Sequence, residues 1–333
     1  MKQARASAFD VVTIGAATRD IFVRSSHFES VPSKDAPDGY NACFPMGAKI
    51  DIDKLIFETG GGATNTAVTF ARFGLKTACV SRVASDANGY EIVSELKQER
   101  INTHAIQFDA KRQTACSIII LSGTGSRAIL TSRSASQYLD ETEIDWDKLQ
   151  APWLYLTSLM GNQRCLSGIF AQVKQRHMQI AWNPGHGEIE LGIKKLLPYL
   201  MQTDVLIMNR EEAAALAETS SRDWTTIAKT LGSLPRMAFI VTDGKHGATV
   251  IARGITWHVR TTPGKVINTT GAGDAFGSAF VASIMNDGDI VKALQVATLN
   301  AHGVITHMGA KAGILKKFPS VAQQKTITVR EEL

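Results

Sequence analysis

One stretch of the chain brings small, polar and acidic residues together: Asn268-Thr269-Thr270-Gly271-Ala272-Gly273-Asp274-Ala275-Phe276-Gly277. Two threonines lead into three small residues and a carboxylate, and an apolar segment of small residues follows through Ile284. This pattern predicts a tight turn that feeds a helix beginning at Ala272-Gly273-Asp274. Because the first N–H groups of a helix lack intrahelical acceptors, and glycine lets a ligand approach the backbone closely, the turn predicts an anion site.

Asp274 has two interpretations in this setting. A carboxylate at the start of a helix is commonly no more than a partner of the helix dipole. Beside anion-binding amides it is also suited to take a proton from a hydroxyl group while the amides stabilise a transferred phosphoryl group. The other motifs decide between the two.

The composition is that of an ordinary globular protein. The chain has 333 residues, of which 44% are hydrophobic and 20% charged. The net charge is +5, but the basic residues are scattered, so we expect no nucleic-acid partner and only a mild preference for anionic small molecules. No run approaches membrane-spanning length and no apolar signal core is visible, so we expect no membrane association.

The cysteines favour a reducing compartment. The four of them are far apart and form no CxxC pair (Cys43, Cys79, Cys116 and Cys165). Cys79 and Cys116 lie in apolar, strand-like runs, where buried free thiols are the default. We therefore expect a cytoplasmic protein.

The N-terminal part predicts a strand followed by a polar site. The apolar run Phe9–Ile14 ends at Gly15, and Asp20 follows at the place where open α/β sheets bind ligands. A dinucleotide site would need GxGxxG here, and the single glycine argues against it. Asp20 is suited either to ligand binding or to capping the turn before Ile21-Phe22-Val23.

Residues 24–58 are less regular, because prolines interrupt them and their apolar content falls. Ile50-Asp51-Ile52 and Leu55-Ile56-Phe57 predict short strands around a turn. An insertion of this kind often forms a small sheet or lid over a cleft, and the alternative is a disordered loop.

Three glycines, Gly60-Gly61-Gly62, precede a predicted helix over 63–73. They allow a ligand to approach the backbone, and Asn65 in the first turn could hydrogen-bond a hydroxyl group through its amide. The alternative is a capped helix entry. No Lys-Ser/Thr pair follows the glycines, so the stretch is not a P-loop.

From Leu75 to Ile251 predicted strands and helices alternate, which indicates a mostly parallel, doubly wound sheet with helices on both faces. Gly123-Thr124-Gly125 predicts a hairpin turn between Cys116–Leu121 and Arg127–Leu130. A helix is predicted over Ile189–Met201, and Ser221 is the expected cap of a later one.

Asn209 and Glu212 directly follow the strand that the run Val205–Met208 predicts. Spaced i and i+3, they lie on one helical face and could hold hydrated Mg²⁺ and phosphate oxygens. The alternative is a helix start enriched in carboxylates.

Together these motifs resemble the ribokinase-like (PfkB) family of sugar and nucleoside kinases. The matching pieces occur in the order of the family across residues 9–315: Asp20, Gly60-Gly61 with Asn65, Asn209-x-x-Glu212, Thr242-x-Gly244 and Thr269–Asp274. The resemblance implies a ribokinase-like α/β fold and an ATP-dependent transfer of phosphate to a hydroxyl group of a small molecule.

The resemblance also implies roles for the matching residues. Asp274 would be the general base, and the amides of Gly271, Ala272 and Gly273 would form the anion hole. The acceptor would be bound by Asp20, Gly60, Gly61 and Asn65. ATP would be bound by Asn209, Glu212, Thr242, Gly244 and Asn300, with Glu212 reaching Mg²⁺ through water.

The organisation of the chain is implied in the same way. The resemblance implies a single kinase domain over residues 1–333, with a lid sheet formed by about residues 15–58 and part of 110–135. Relatives can also use this lid as a dimer interface, so a homodimer through the lid is an expectation.

Two departures from the family pattern affect the substrate and the ions. Ribokinases tend to have lysine where this chain has Gly62, which weakens ribose as the acceptor. The usual aspartate before the two threonines is Asn268 here, which makes activation by a monovalent cation doubtful.

A sugar kinase is the leading interpretation and a nucleoside kinase the second. Gly62 favours the second, as do lid aromatics that could stack on a base or simply pack (Phe22, Tyr40 and Phe44). A ligand-binding regulator without turnover is a third interpretation, against which the intact Asp274 and anion hole argue.

Overall fold

Short apolar runs form the strands of this protein, and the intervening periodic segments form its helices. The structure, a computed structural model, describes residues 8–36, 39–121 and 127–332. The strands are β1 Val11–Ile14, β2 Thr18–Arg24, β3 Glu29–Pro32, β4 Tyr40–Cys43, β5 Lys54–Gly60, β6 Thr77–Ala84, β7 Ile106–Asp109, β8 Cys116–Leu121, β9 Arg127–Ser132, β10 Trp153–Leu156, β11 Gln179–Trp182, β12 Val205–Asn209, β13 Ala238–Thr242, β14 Ala248–Ala252, β15 Ile255–Val259 and β16 Val329–Glu332. The α-helices are α1 Gly62–Arg72, α2 Ala87–Gln98, α3 Gln163–Gln175, α4 His186–Ile189, α5 Ile193–Leu200, α6 Arg210–Leu216, α7 Trp224–Leu231, α8 Ala272–Asp287, α9 Ile290–Ile305 and α10 Val321–Gln324.

The large sheet has ten strands in the order β16-β15-β14-β13-β12-β11-β10-β1-β6-β7. The strands from β13 to β7 in this order pair in parallel, whereas β13, β14, β15 and β16 pair antiparallel. The prediction of a mostly parallel, doubly wound sheet is confirmed. Parallel strands place their carboxyl ends at one edge, where ligands bind in open α/β sheets.

Both faces of this sheet are buried, because successive side chains of a strand point to opposite sides. Val12 and Ile14 belong to the core that also contains Phe170 of α3. Val11 belongs to the opposite core, with Phe280 of α8. Fully burying a side chain of phenylalanine size contributes roughly 1.5–3 kcal/mol, so the two cores hold the helices on both faces.

A separate four-stranded sheet has the order β5-β2-β8-β9. After β1 the chain leaves the large sheet and forms β2, which pairs antiparallel with β5 and parallel with β8. This register places Asp20 directly opposite Glu58 on one side and Ser117 on the other. The small sheet therefore carries two predicted site residues, Asp20 on β2 and Gly60 on β5, at fixed positions relative to each other.

The strand predicted over Ile50–Ile52 is wrong. The pair of short strands in this region is the hairpin of β3 and β4, and the residues around Asp51 form a bend before β5. The Ser25 hydroxyl donates to the Asp51 carbonyl oxygen across 2.6 Å, and the Asp53 carboxylate accepts from the Ser26 N–H across 2.5 Å. Local bonds of this kind between side chains and the backbone compete with strand pairing.

Two helix predictions also need correction. The helix predicted over Ile189–Met201 is two helices, α4 and α5, because Gly192 adopts φ 78° between them. Helix α7 is capped by Asp223, whose carboxylate accepts from the Thr226 N–H across 3.0 Å, and not by Ser221.

The predicted hairpin turn Gly123-Thr124-Gly125 lies outside the described residues. The strands on either side of it, β8 and β9, pair antiparallel with Leu121 opposite Arg127. Among the described helices, none combines the length and the apolar character that crossing a bilayer requires.

Candidate active site

The residues after Asn268 form the predicted turn and helix start. Gly271 caps α8 in the left-handed conformation, with φ 80°, and a Cβ atom there would overlap Ala310. Gly273 in the first turn has open space in front of it, because a Cβ atom built there meets no heavy atom within 4 Å. The start of this 16-residue helix thus presents backbone N–H groups to an open volume, as an anion site requires.

Asp274, in the same first turn, is held by a residue of another helix. The Asn65 side-chain amide of α1 donates to Asp274 Oδ2 across 2.8 Å. Burial raises the pKa of Asp274 and the charge of Asp20 adds to this, while the Asn65 bond and the charge of Lys311 act in the opposite direction. A carboxylate with a raised pKa is a stronger proton acceptor when ionised.

Asp20 lies nearby on β2 and is only 5% exposed. The Thr18 hydroxyl donates to its Oδ1 across 3.1 Å. Burial raises the pKa of Asp20, and the Thr18 bond and the charge of Lys311 oppose the rise. The charge of Asp20 also raises the pKa of Asp274. The small sheet and α8 therefore each contribute a carboxylate within electrostatic range of the other.

Each glycine of the triplet is required by a different neighbour. A Cβ atom at Gly60 would overlap Asp20 Oδ2, and one at Gly61, where φ is 96°, would overlap the Ala16 carbonyl group. At Gly62 a Cβ atom would lie 2.6–2.8 Å from the side chain of Thr157. Close packing therefore explains the glycine at position 62, where ribokinases tend to have lysine.

Asn65 has a free hydrogen-bonding atom. Its side chain is buried, and its Oδ1 atom has no partner among the described residues. A buried amide oxygen without a partner is costly unless a ligand satisfies it. Asn65 can therefore hold Asp274 through its NH₂ group and accept a bond from a ligand hydroxyl through its oxygen.

A cleft of about 210 Å³ opens at the carboxyl edge of the large sheet. It is lined by Asn183, Ile207, Met208, Asn209, Glu212, Thr242, Gly271, Gly273 and Asp274. Asn209 and Thr242 are paired in register at the ends of β12 and β13. The structure thus brings Asn209, Glu212 and Thr242 together with the anion motif.

Asn209 and Glu212 form a reciprocal cap at the start of α6. The Glu212 N–H donates to Asn209 Oδ1 across 2.8 Å, and the Asn209 N–H donates to Glu212 Oε2 across 2.9 Å. The local structure is thus the helix start enriched in carboxylates that was the alternative prediction for these two residues. Both residues nevertheless line the cleft, so the cap also fixes them towards a ligand.

The cleft is suited to a divalent cation bound mainly through phosphate. Burial raises the pKa of Glu212, and the charges of Glu211, Asp274 and Glu188 raise it further. A cation would offset this accumulation of negative charge. The described residues contain no group of three or more His, Cys, Asp or Glu side chains placed to hold a metal ion.

Two of the predicted nucleotide-binding residues do not line this cleft. Asn300 is fully buried, donates to the Ala275 carbonyl oxygen across 2.9 Å and accepts from the Leu315 N–H across 3.0 Å. It has no exposed surface, and its hydrogen bonds join α9 to α8 and to the segment that follows α9. Gly244 is exposed at the start of the turn after β13 and lies outside the cleft lining.

Two residues of the region were not identified from the sequence. Asn183 lines the cleft and donates to the Ile207 carbonyl oxygen across 2.8 Å. Its position just after β11, at the same edge as Asn209, is a signal that could have found it. Lys311 lies after α9 in Gly309–Gly313, where no sequence pattern marks it.

Comparisons with known proteins agree with this architecture. The family model described as pfkB family carbohydrate kinase matches residues 46–317. An uncharacterized sugar kinase of Archaeoglobus fulgidus is 25% identical over 250 residues, which cover 73% of this chain and 97% of that protein. The match thus takes in 73% of this chain and nearly the whole of that sugar kinase.

Two solved structures share the fold. The nucleoside kinase of Methanocaldococcus jannaschii has a TM-score of 0.75 and 19% identity, covering 95% of this chain and 98% of that one. The Arabidopsis thaliana ribokinase complexed with ribose and ATP has a TM-score of 0.76 and 20% identity, covering 96% and 98%. These likenesses show the ribokinase fold.

Proposed function

Because this chain belongs to the pfkB family of carbohydrate kinases, and is therefore an ATP-dependent kinase, we propose that it transfers the γ-phosphate of Mg·ATP to a hydroxyl group of a sugar. The observation that carries this proposal is the arrangement at the start of α8. Asp274, the backbone of Gly271 and Gly273, and the ends of β12 and β13 line one cleft. Such a cleft can align a nucleophilic hydroxyl with a phosphate, which is most of what phosphoryl transfer needs.

Asp274 is the proposed general base. Its carboxylate accepts the proton of the acceptor hydroxyl, and Asn65 holds its Oδ2 atom in place. The N–H groups of Gly271, Ala272 and Gly273 are the proposed anion hole for charge that develops on the phosphoryl group. Close packing of Gly271 against Ala310 keeps these donors fixed before the reaction.

The acceptor is proposed to bind between the small sheet and α1. Asp20 accepts hydrogen bonds from sugar hydroxyl groups, and the unpartnered Oδ1 of Asn65 accepts another. Gly60 and Gly61 offer their backbone to the sugar. A site built from acceptor atoms and bare backbone suits a polyhydroxylated molecule.

The nucleotide is proposed to bind along the cleft. Asn209 and Thr242 contact the phosphates, Gly244 the nucleoside end, and Glu212 holds Mg²⁺ through water. When bound, Mg²⁺ neutralises negative charge on the phosphate groups. The reciprocal cap of Asn209 and Glu212 supports this by orienting both side chains at the cleft.

The small sheet is proposed to act as a lid of a single kinase domain. Residues 15–58 and part of 110–135 form it, and the Arg127 side chain on β9 already donates to the Thr269 hydroxyl of the anion motif. Closure over the cleft would exclude water, which competes with the sugar as acceptor. One face of the sheet exposes the apolar side chains of Phe57 and Leu130, which supports a homodimer through the lid.

A nucleoside acceptor is the second candidate. Tyr40 and Phe44, in and next to the β3–β4 hairpin, are 47% and 41% exposed, although the Phe44 ring packs edge-on against Phe28. Both rings therefore keep exposed surface on which a base can stack. Phe22 is only 1% exposed and packs in the interior, so it cannot. The hairpin aromatics are the observation that favours this acceptor class.

The decisive experiment is an ADP-release screen of sugars, sugar phosphates and nucleosides with Mg·ATP. The Asp274→Asn variant keeps the shape of the side chain and removes proton acceptance, so turnover should fall by about 10²-fold or more with ATP affinity nearly unchanged. Asp287→Asn, at the other end of the same helix, is the control. Near-normal turnover of Asp274→Asn on the best acceptor would contradict the assignment of the base.

A further inference from the structure

Lys311 is a lysine in the interior, with only 3% of its surface exposed. Its Nζ donates to Thr59 Oγ1 across 2.5 Å and lies 3.6 Å from Glu95 Oε1. The Thr59 hydroxyl in turn donates to Glu95. Burying an ammonium group costs free energy unless polar and charged partners surround it, as Thr59 and Glu95 do here. The cluster therefore keeps a positive charge in the interior, which a neutral side chain would not supply.

The backbone on either side of Lys311 is fixed. The Arg72 guanidinium of α1 donates to the carbonyl oxygens of Lys311 and Ile314 across 3.0 and 2.9 Å. The Leu315 N–H donates to Asn300 of α9 across 3.0 Å. Contacts with α1 and α9 therefore hold the backbone around Lys311 in place, and Lys311 has less freedom to move than a lysine on the surface.

Three consecutive residues of this loop contact both halves of the proposed site. A Cβ atom at Gly309 would lie 2.9 Å from Glu58 Cγ on β5. Ala310 packs against Gly271 at the start of α8, and Lys311 binds Thr59. The loop thus joins the acceptor strand β5 to the helix that carries Asp274.

The charges around Lys311 are mostly negative. Its ammonium group interacts electrostatically with five carboxylates and with the Cys79 thiol of β6. The carboxylates are Asp20 on β2, Glu58 on β5, Glu95 on α2, Glu99 just after α2 and Asp274 on α8. Arg19 on β2 is a second cation that acts on Asp20 and Glu58. Burial raises the pKa of both Asp20 and Asp274, and Lys311 opposes the rise in each.

Building on the proposed phosphoryl transfer, we propose that Lys311 is a positioning residue of the acceptor site, whose ammonium group compensates the charges of Asp20 and Asp274 and fixes the Thr59-Gly60 end of β5. Without a nearby cation, repulsion between the two carboxylates around one acceptor would favour protonation of one of them. A protonated Asp274 cannot accept the proton of the substrate hydroxyl. Lys311 acts through these residues without touching the sugar.

The first test measures the carboxylates directly. Protein labelled with ¹³C at the aspartate carboxyl groups is titrated by NMR, and Asp20→Asn and Asp274→Asn assign the two signals. In Lys311→Met/Glu95→Gln, which removes both members of the ion pair and so protects folding, both titration midpoints should lie at higher pH than in Glu95→Gln alone. Equal midpoints in the two proteins would overturn the proposal.

The second test uses the pH profile of kcat/KM for the acceptor. In Lys311→Met/Glu95→Gln the acid limb should move to higher pH, with a several-fold loss near pH 6 that shrinks at alkaline pH. Lys317→Met, which removes an exposed lysine of the same segment, should keep the wild-type profile. A wild-type profile in the double variant would mean that Lys311 merely balances Glu95, and the proposal would be wrong.

The two tests separate this inference from the proposed function. A wild-type protein that releases ADP with none of the acceptors refutes the phosphotransfer proposal. The NMR titration needs no turnover, so it still decides whether Lys311 compensates the charges of Asp20 and Asp274.

Discussion

The Asn65 amide and the Asp274 carboxylate, 209 residues apart in sequence, meet across 2.8 Å. This bond joins the first turn of α1 to the first turn of α8. A donor aimed at one oxygen of a carboxylate stabilises the ionised form and leaves the other oxygen free. The bond therefore orients the carboxylate of the proposed base and favours its ionised form.

Removing this donor should change the pH dependence of the enzyme. The Asn65 bond lowers the pKa of Asp274 against the effect of burial, so Asn65→Ala should raise that pKa. The acid limb of kcat/KM should then move to higher pH, and turnover should fall by about tenfold or more at acidic pH.

The control for this variant is Asn286→Ala, an exposed amide in the last turn of α8. Its pH profile should equal that of the unmodified protein. If Asn65→Ala lowered kcat equally at every pH, Asn65 would position substrate without tuning Asp274.

Asp20 should affect the acceptor far more than the nucleotide. Asp20→Ala removes a buried acceptor of hydroxyl hydrogen bonds, which costs about 1–3 kcal/mol of acceptor binding. That corresponds to roughly 5- to 150-fold weaker affinity for the sugar. Calorimetry with sugar and with ATP separately measures both effects, and unchanged sugar affinity would reduce Asp20 to a structural residue of β2.

Gly62→Ala should destabilise the fold, although alanine is intrinsically the better helix former. The new Cβ atom would lie 2.6–2.8 Å from the Thr157 side chain, and overpacking of this kind costs about 1–3 kcal/mol. The measurement is thermal unfolding, where Tm should fall by several degrees.

Gly273→Ala is the matched control for stability, because it makes the same change in the first turn of another helix with open space around it. Its Tm should be unchanged or slightly higher. An equal Tm for Gly62→Ala and the unmodified protein would show that Thr157 moves away at little cost.

Activation by K⁺ should be weak or absent. Asn268 is buried, its Oδ1 accepts from the Thr270 N–H across 3.1 Å, and its NH₂ group has no partner among the described residues. A neutral amide whose oxygen is already used is a poorer cation ligand than a carboxylate. Asn268→Asp should therefore gain K⁺ sensitivity.

The measurement is ATP turnover in K⁺ against a bulky organic cation at matched ionic strength, since salt alone screens charges. A K⁺ ion beside the anion hole would raise the positive potential of the hole. Strong K⁺ activation of the unmodified protein would show that backbone carbonyl groups suffice.

The sequence predicted what depends on local patterns. Apolar runs located strands such as β1 and β12, and the Gly271–Asp274 motif located the start of α8. The burial of Asn300 was not predicted, because the sequence of α9 does not show which face of the helix is enclosed. Lys311 and the contact between Asn65 and Asp274 depend on how distant segments pack, which no local pattern encodes.

The small sheet and the large sheet divide the proposed site between separate stretches of chain. Asp20 and Gly60 lie on the small sheet, whereas Asp274 and the anion hole lie on α8. Substitutions in β2 and β5 can thus retune which hydroxyl compound is accepted while the sequence of α8 stays unchanged. Evolution of new substrate preference in this scaffold would be modular, and grafting these strands from a relative is the natural engineering route to a new acceptor.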